Sequence, residues 1–212
     1  MNRAMAYFLW ASFCIGLTIM VVFQSAVMFG PNAQLGQIAD YMICDIQKLL
    51  FNNMLYFAVL IYLGRKNYMD EHVALRCRNQ GIELILYMNF HGIVLCAMFL
   101  LMLIVGLFAS AIITGIEIYV PVSLLVSLTL AGLFAFAWYM IYSAAYTISK
   151  NHIVGFFVLL ISQLTILVTH FFLQFMCDID IAKYLLNFVF PIIVIISTEI
   201  IQRVVLAKRE WY

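Results

Sequence analysis

The sequence predicts an all-α polytopic membrane protein with six transmembrane helices and cytoplasmic N- and C-termini. Three observations predict it. Long apolar runs, broken only by short polar stretches, make up most of the 212 residues. A helix needs about 20 apolar residues to cross a bilayer's hydrocarbon core, and runs this long are rare in soluble cores. Composition agrees, with 67% hydrophobic and 10% charged residues against roughly 45–50% and 25% in soluble domains. The basic residues are also unevenly divided between the two sets of connections.

Span one covers 5–28. Arg3 precedes it like the positive end of a signal peptide, but Ala4 to Met28 exceeds the apolar core of such a peptide, about 7–15 residues, so a retained span is expected. Gly30-Pro31 ends it, and Asp40 and Asp45 lie in the polar stretch that follows. Span two, 49–63, is short, carries Asn52-Asn53, and stops at Gly64-Arg65-Lys66. Span three, 84–114, belongs to an apolar run starting at Ile82 that outlasts a perpendicular crossing. It is expected to tilt, to extend past the membrane, or to begin along the interface.

Gly115 and Pro121 bracket the next turn, and span four covers 120–147. Trp138, Tyr139, Tyr142 and Tyr146 near its end are expected at headgroup level, where amphipathic rings concentrate. Ser149-Lys150-Asn151-His152 is a tight turn into span five, 153–176. Cys177-Asp178-Ile179-Asp180 leads to span six, 184–206, where Pro191 predicts a kink. These spans form a single transmembrane domain over 1–212, with no stretch left for a soluble domain of about 50 residues.

Orientation follows from charge. Arg3, Arg65, Lys66, Arg76, Arg78, Lys150, Arg203, Lys208 and Arg209 fall on one side, and only Lys48 and Lys183 on the other. Basic residues accumulate on the cytoplasmic face, which places both termini inside. The overall balance of 11 basic to 10 acidic residues offers no clustered cationic surface for nucleic acid. The cysteines, Cys14, Cys44, Cys77, Cys96 and Cys177, show no metal-binding spacing. Cys44 and Cys177 share the outer side, and whether they form a disulfide stays open.

The richest candidate for chemistry is Tyr68 to Gln80, between spans two and three on the cytoplasmic side. Asp70 and Glu71 suit a helix start, and Val73, Leu75 and Cys77 make a small apolar set beside Arg76 and Arg78. Such a helix fits a groove on a soluble partner. A topogenic loop explains the same cations. Glu199 lies deepest among the ionisable residues, and Arg203 at i+4 makes an intramembrane polar pair available. Pairing near the cytoplasmic interface is the simpler reading, and a transport path the sharper one.

His91 and His170 have no second ligand at i+3 or i+4, so metal binding is not expected. Together with Asn89, Gln163, Thr165 and Gln174 they read as interhelical hydrogen-bonding groups, with a polar cavity as the alternative. The 12 Met and the aromatic residues suit an adaptable apolar path, or lipid-facing and packed positions. No nucleophile elbow, zinc-protease or phosphate-loop motif is present. No catalysis by this chain is therefore expected.

Six spans in little over 200 residues, with the loop Glu71-His72-Val73-Ala74-Leu75-Arg76-Cys77-Arg78 entering a long third span, resemble the six-helix permease subunits of ABC-2-type exporters. The compact forms in bacterial peptide export and self-immunity are the nearest in plan. The tail from Arg203 to Glu210 is similar in character, whereas the family's amphipathic segment before span one is almost missing. The resemblance implies that Glu71, His72, Val73, Leu75, Arg76 and Arg78 contact a separate ATP-binding cassette ATPase. It further implies ATP on that partner, no cofactor on this chain, a second permease copy or similar permease chain, and a bacterial plasma membrane. The substrate class expected is amphipathic or lipophilic, peptides included. A substrate-binding subunit of a vitamin uptake system and a non-transporting scaffold subunit are the alternatives.

Overall fold

The computed structural model describes residues 3–29, 54–64, 81–115, 122–176 and 188–207, and among these it is all-helical. The helices are α1 (Arg3–Phe29), α2 (Met54–Gly64), α3 (Gly81–Thr114), α4 (Val122–Ser149), α5 (His152–Met176) and α6 (Phe190–Ala207). Of these, α3 across Ile85–Ile113 and α4 across Leu124–Ser149 are long and apolar enough to cross a membrane. The third apolar run is one continuous helix of 34 residues. At 1.5 Å per residue that is about 51 Å, well beyond a hydrocarbon core of about 30 Å. A break into a separate interfacial segment therefore does not occur within Gly81–Thr114.

The chain divides into two compact units. One comprises Met1–Leu60 and Ala97–Gly132, the other Ile61–Cys96 and Leu133–Tyr212, so α3 and α4 each contribute to both. Inside unit 1, Gly106 lies against Thr18, where an added Cβ would stand 2.7 Å from the threonine methyl. The Phe57 and Phe99 rings meet edge to face with centroids 5.5 Å apart. Thr18 donates to the Cys14 carbonyl at 2.8 Å, and Ser110 to the Gly106 carbonyl at 2.6 Å. Both are buried hydroxyls that close on their own helix, which a helix tolerates without any partner.

Unit 2 is organised around the second half of α4. No residue from 133 to 147 is exposed, and all but Leu133, Phe136, Ile141 and Ala145, which are half-buried, are fully buried. Three stripes contribute to the cover: Ile85, Met88, Gly92 and Leu95 on α3; Gly155, Leu159, Gln163 and Ile166 on α5; and Pro191, Thr198, Gln202 and Leu206 on α6. Each has a spacing of three, four or seven residues, the signature of one helix face. Across the outer faces run large apolar side chains, among them Phe90, Phe157, Ile193 and Ile200.

One sequence expectation is corrected here. Trp138, Tyr139, Tyr142 and Tyr146 are buried in helix packing and do not form a ring layer turned outward. Glycines at 92 and 155 leave room for two of these rings. Pro191 follows directly on two residues in π-type conformation, 188 and 189, and the α-helical Phe190; prolines and π-type turns are both places where a helix bends.

The turn between α4 and α5 is built from local hydrogen bonds. Lys150 takes a left-handed conformation (φ 53°), and its N–H donates to the Tyr146 carbonyl at 2.7 Å. Asn151 then caps α5, its Oδ1 accepting the Ile153 N–H at 2.9 Å. With two residues between the helices, α4 and α5 run antiparallel.

Candidate functional site

The functional candidates within the described residues gather in the interior of unit 2, on the helices packed around α4. Tyr139, 0% exposed, is held at both ends. Its hydroxyl donates to the Met88 carbonyl on α3 at 2.6 Å. Its ring fills the space that a side chain at Gly92 would need. Phe136 stacks on it at 6.2 Å, and His91 meets its edge at 6.4 Å. This ties α3 to α4.

The contact between α4 and α5 is equally close. An added Cβ at Gly155 would lie 3.1 Å from the Tyr142 ring and 3.2 Å from its carbonyl oxygen. One turn nearer the hairpin, the Tyr142 hydroxyl and His152 Nδ1 share a hydrogen bond of 2.7 Å. The His152 ring also stacks on Tyr146 at 4.3 Å. Trp138 lies 6.4 Å from Phe190 at the start of α6. Deeper along α6, Gln202 Nε2 donates to Ser143 Oγ at 2.6 Å, and both residues are fully buried.

The amides in this interior are only partly satisfied. Gln202 Oε1, Gln163 Nε2 and Asn89 Oδ1 are buried with no hydrogen-bond partner. Gln163 is 2% exposed and Gln202 0%. A buried amide atom left without a partner costs about 1–3 kcal/mol, so these atoms stand out from the locally closed hydroxyls.

Of the residues singled out from sequence, Glu71, His72, Val73, Leu75, Arg76 and Arg78 lie outside the described residues, as do Cys44 and Cys177. Glu199 and Arg203 are described. Arg203 Nη2 and Nε donate to Glu199 Oε1 at 2.7 and 3.2 Å. The pair sits on the outer surface of α6, with the side chains 60% and 32% exposed, apart from the polar interior. Thr165 is exposed, and its hydroxyl returns to the Ile161 carbonyl. Among the described residues no group of three or more His, Cys, Asp or Glu could hold a metal ion.

Ser143 and the Gln202 contact were not singled out from sequence. A faint signal existed: Gln202 falls on the α6 stripe with Thr198 and Leu206, and Ser143 lies in the otherwise apolar face of α4. Nothing in spacing pairs them, because they are 59 residues apart. No protein-family model, curated protein or solved structure matches the chain.

Proposed function

We propose that this chain is the membrane-spanning permease subunit of an ATP-driven exporter, powered by a separate ATPase. Its substrate is amphipathic or lipophilic, with peptides in that class. All six apolar helices cross a bacterial plasma membrane in this reading, with both termini in the cytoplasm, and two permease copies or two similar chains line the route. The observation that carries the reading is α3. A helix of 34 residues outlasts the membrane and follows directly on the basic sequence Arg65 to Gln80, and this supports reading that sequence as a partner-docking loop. The apolar residues exposed along α1, α3, α5 and α6 suit lipid or a greasy substrate.

Two experiments test this. Val73 and Leu75 are the apolar anchors of the docking loop, and such anchors are worth roughly 1–3 kcal/mol each when truncated. The double variant Val73→Asp/Leu75→Asp loses the co-purifying ATPase while still inserting in the membrane. Arg76→Ala alone does less, since rim ion pairs contribute little. Normal ATPase retention and transport by the double variant would remove the exporter reading. For topology, single cysteines on a cysteine-free background are labelled from outside near Asp40 and Asp178, and protected near Lys66 and Lys150. The reverse pattern inverts the assignment.

One observation favours a second reading, a small-molecule-binding subunit of an uptake system: the buried amide atoms of unit 2 that lack partners. Purification separates the two. A retained ATPase points to export, and a tightly held small molecule to uptake.

A further inference from the structure

We propose that the interior of unit 2 binds neutral hydrogen-bonding molecules, water being the smallest of them, with Gln163 and Gln202 as the contact residues. The inference is independent of transport direction and of any ATPase.

The argument starts from what a buried amide needs. A glutamine side chain has two N–H donors and a carbonyl with two lone pairs, and none of these can close on its own helix as a hydroxyl does. In an apolar interior each unmet group is costly, so native structures supply a partner or an ordered water. Gln202 spends one donor on Ser143 and leaves its carbonyl oxygen unmet. Turning the amide over exchanges which atom is unmet without removing the deficit. Gln163 has its nitrogen unmet. Each of the two residues thus carries one amide atom that a small donor–acceptor molecule at its own depth can meet.

Position adds to this. Gly155 packs on Tyr142, one residue from Ser143, where Gln202 binds. Gln163 lies eight residues further along α5 on the same buried stripe, about 12 Å away at 1.5 Å per residue. The two sites therefore stand at different depths along α4. Between them in depth lie the Tyr139 hydroxyl and Met88, whose neighbour Asn89 also carries an unmet oxygen. No described residue on the buried stripes of α3, α5 and α6 that face this interior is ionised. The chemistry therefore selects neutral donor–acceptor groups, such as water or the hydroxyl or amide of a transported molecule, over ions.

The test uses the full chain with its five native cysteines replaced by alanine, reconstituted in vesicles. Single variants Gln163→Cys, Gln202→Cys, Leu159→Cys and Leu164→Cys are treated with hydroxyethyl methanethiosulfonate, a small neutral thiol reagent. Thiols react as thiolates, which need a hydrated surrounding. Leu159 is a buried control on the Gln163 stripe and Leu164 an exposed apolar control. Modification of Gln163→Cys and Gln202→Cys at least about tenfold faster than both controls supports a hydrated site. Slow modification together with an organic molecule retained in the native mass spectrum of the unmodified chain, and lost from Gln163→Met, supports a site holding that molecule. Rates equal to the controls with no retained molecule overturn the proposal.

A second measurement does not depend on labelling. If an occupant satisfies the amide, Gln163→Met lowers Tm. A dry, unmet amide would make the same substitution raise Tm, and that result also overturns the proposal.

Discussion

The two units differ in how far their buried polar side chains reach. In unit 1, Thr18 and Ser110 return their protons to carbonyls four residues earlier, and Thr147 and Thr198 of unit 2 do the same. In unit 2, Tyr139 reaches Met88 on another helix and Gln202 reaches Ser143 across 59 residues, while three amide atoms remain unmet. A hydroxyl within a helix closes on the carbonyl one turn back, whereas the longer Gln202 amide reaches another helix. Unit 2 has long-range partners in addition, so its helices must keep their register.

The comparison is sharpest at glycine. Gly92→Ala pushes a methyl into the Tyr139 ring, which is pinned by its hydroxyl and cannot swing away. The expected loss is about 1–3 kcal/mol, as for other overpacked cores, read as a fall in Tm in detergent. Gly16→Ala, with open space around the added methyl, stabilises its helix by about 0.5–1 kcal/mol. An equal response at both positions would break the account of α3–α4 packing.

The next effect separates the units directly. A double-mutant cycle of Ser143→Ala and Gln202→Leu is expected to give a coupling of about 0.6–1.7 kcal/mol, the range for interhelical hydrogen bonds in membranes. Ser110→Ala in unit 1 is expected to change stability by under about 0.5 kcal/mol, since its hydroxyl donates to the Gly106 carbonyl of its own helix. A larger loss at Ser110 than at Ser143 would reverse the assignment of locally and distantly satisfied polarity.

Lys150 predicts a gain. A non-glycine residue at φ 53° is held in a conformation that costs about 1 kcal/mol or more, so Lys150→Gly raises Tm by a comparable amount. Gly115, at φ 69°, is the mirror case, and Gly115→Ala lowers Tm. Smallest of all is Glu199→Gln. The partner Arg203 is mostly exposed, and surface ion pairs are worth about 0–1 kcal/mol. Loss of transport with unchanged Tm in this variant would give the pair a role in a substrate path.

Much of the element order was legible from apolar runs alone. The third run predicted an element longer than a crossing, and α3 is that element. The tight turn at Ser149 to His152 matched the observed hairpin because asparagine capping and the left-handed residue are local. The aromatic cluster of α4 was misread. Trp138, Tyr139, Tyr142 and Tyr146 carry the same composition whether they line a headgroup layer or a packed interior, and only their neighbours on other helices decide between the two.

By itself the sequence determined that this chain is helical, apolar enough to belong in a membrane, and interrupted where glycine, proline and charge interrupt it. These properties follow from residue-by-residue transfer and propensity, which need no knowledge of neighbours. Tertiary structure alone decided that α4 exposes no residue from 133 to 147, that Gly92 and Gly155 receive the Tyr139 and Tyr142 rings, and that Gln202 meets Ser143 while Gln163 meets nothing. An amide's energy depends on whether a partner from another helix arrives within about 3 Å, and that distance is set by how the helices pack.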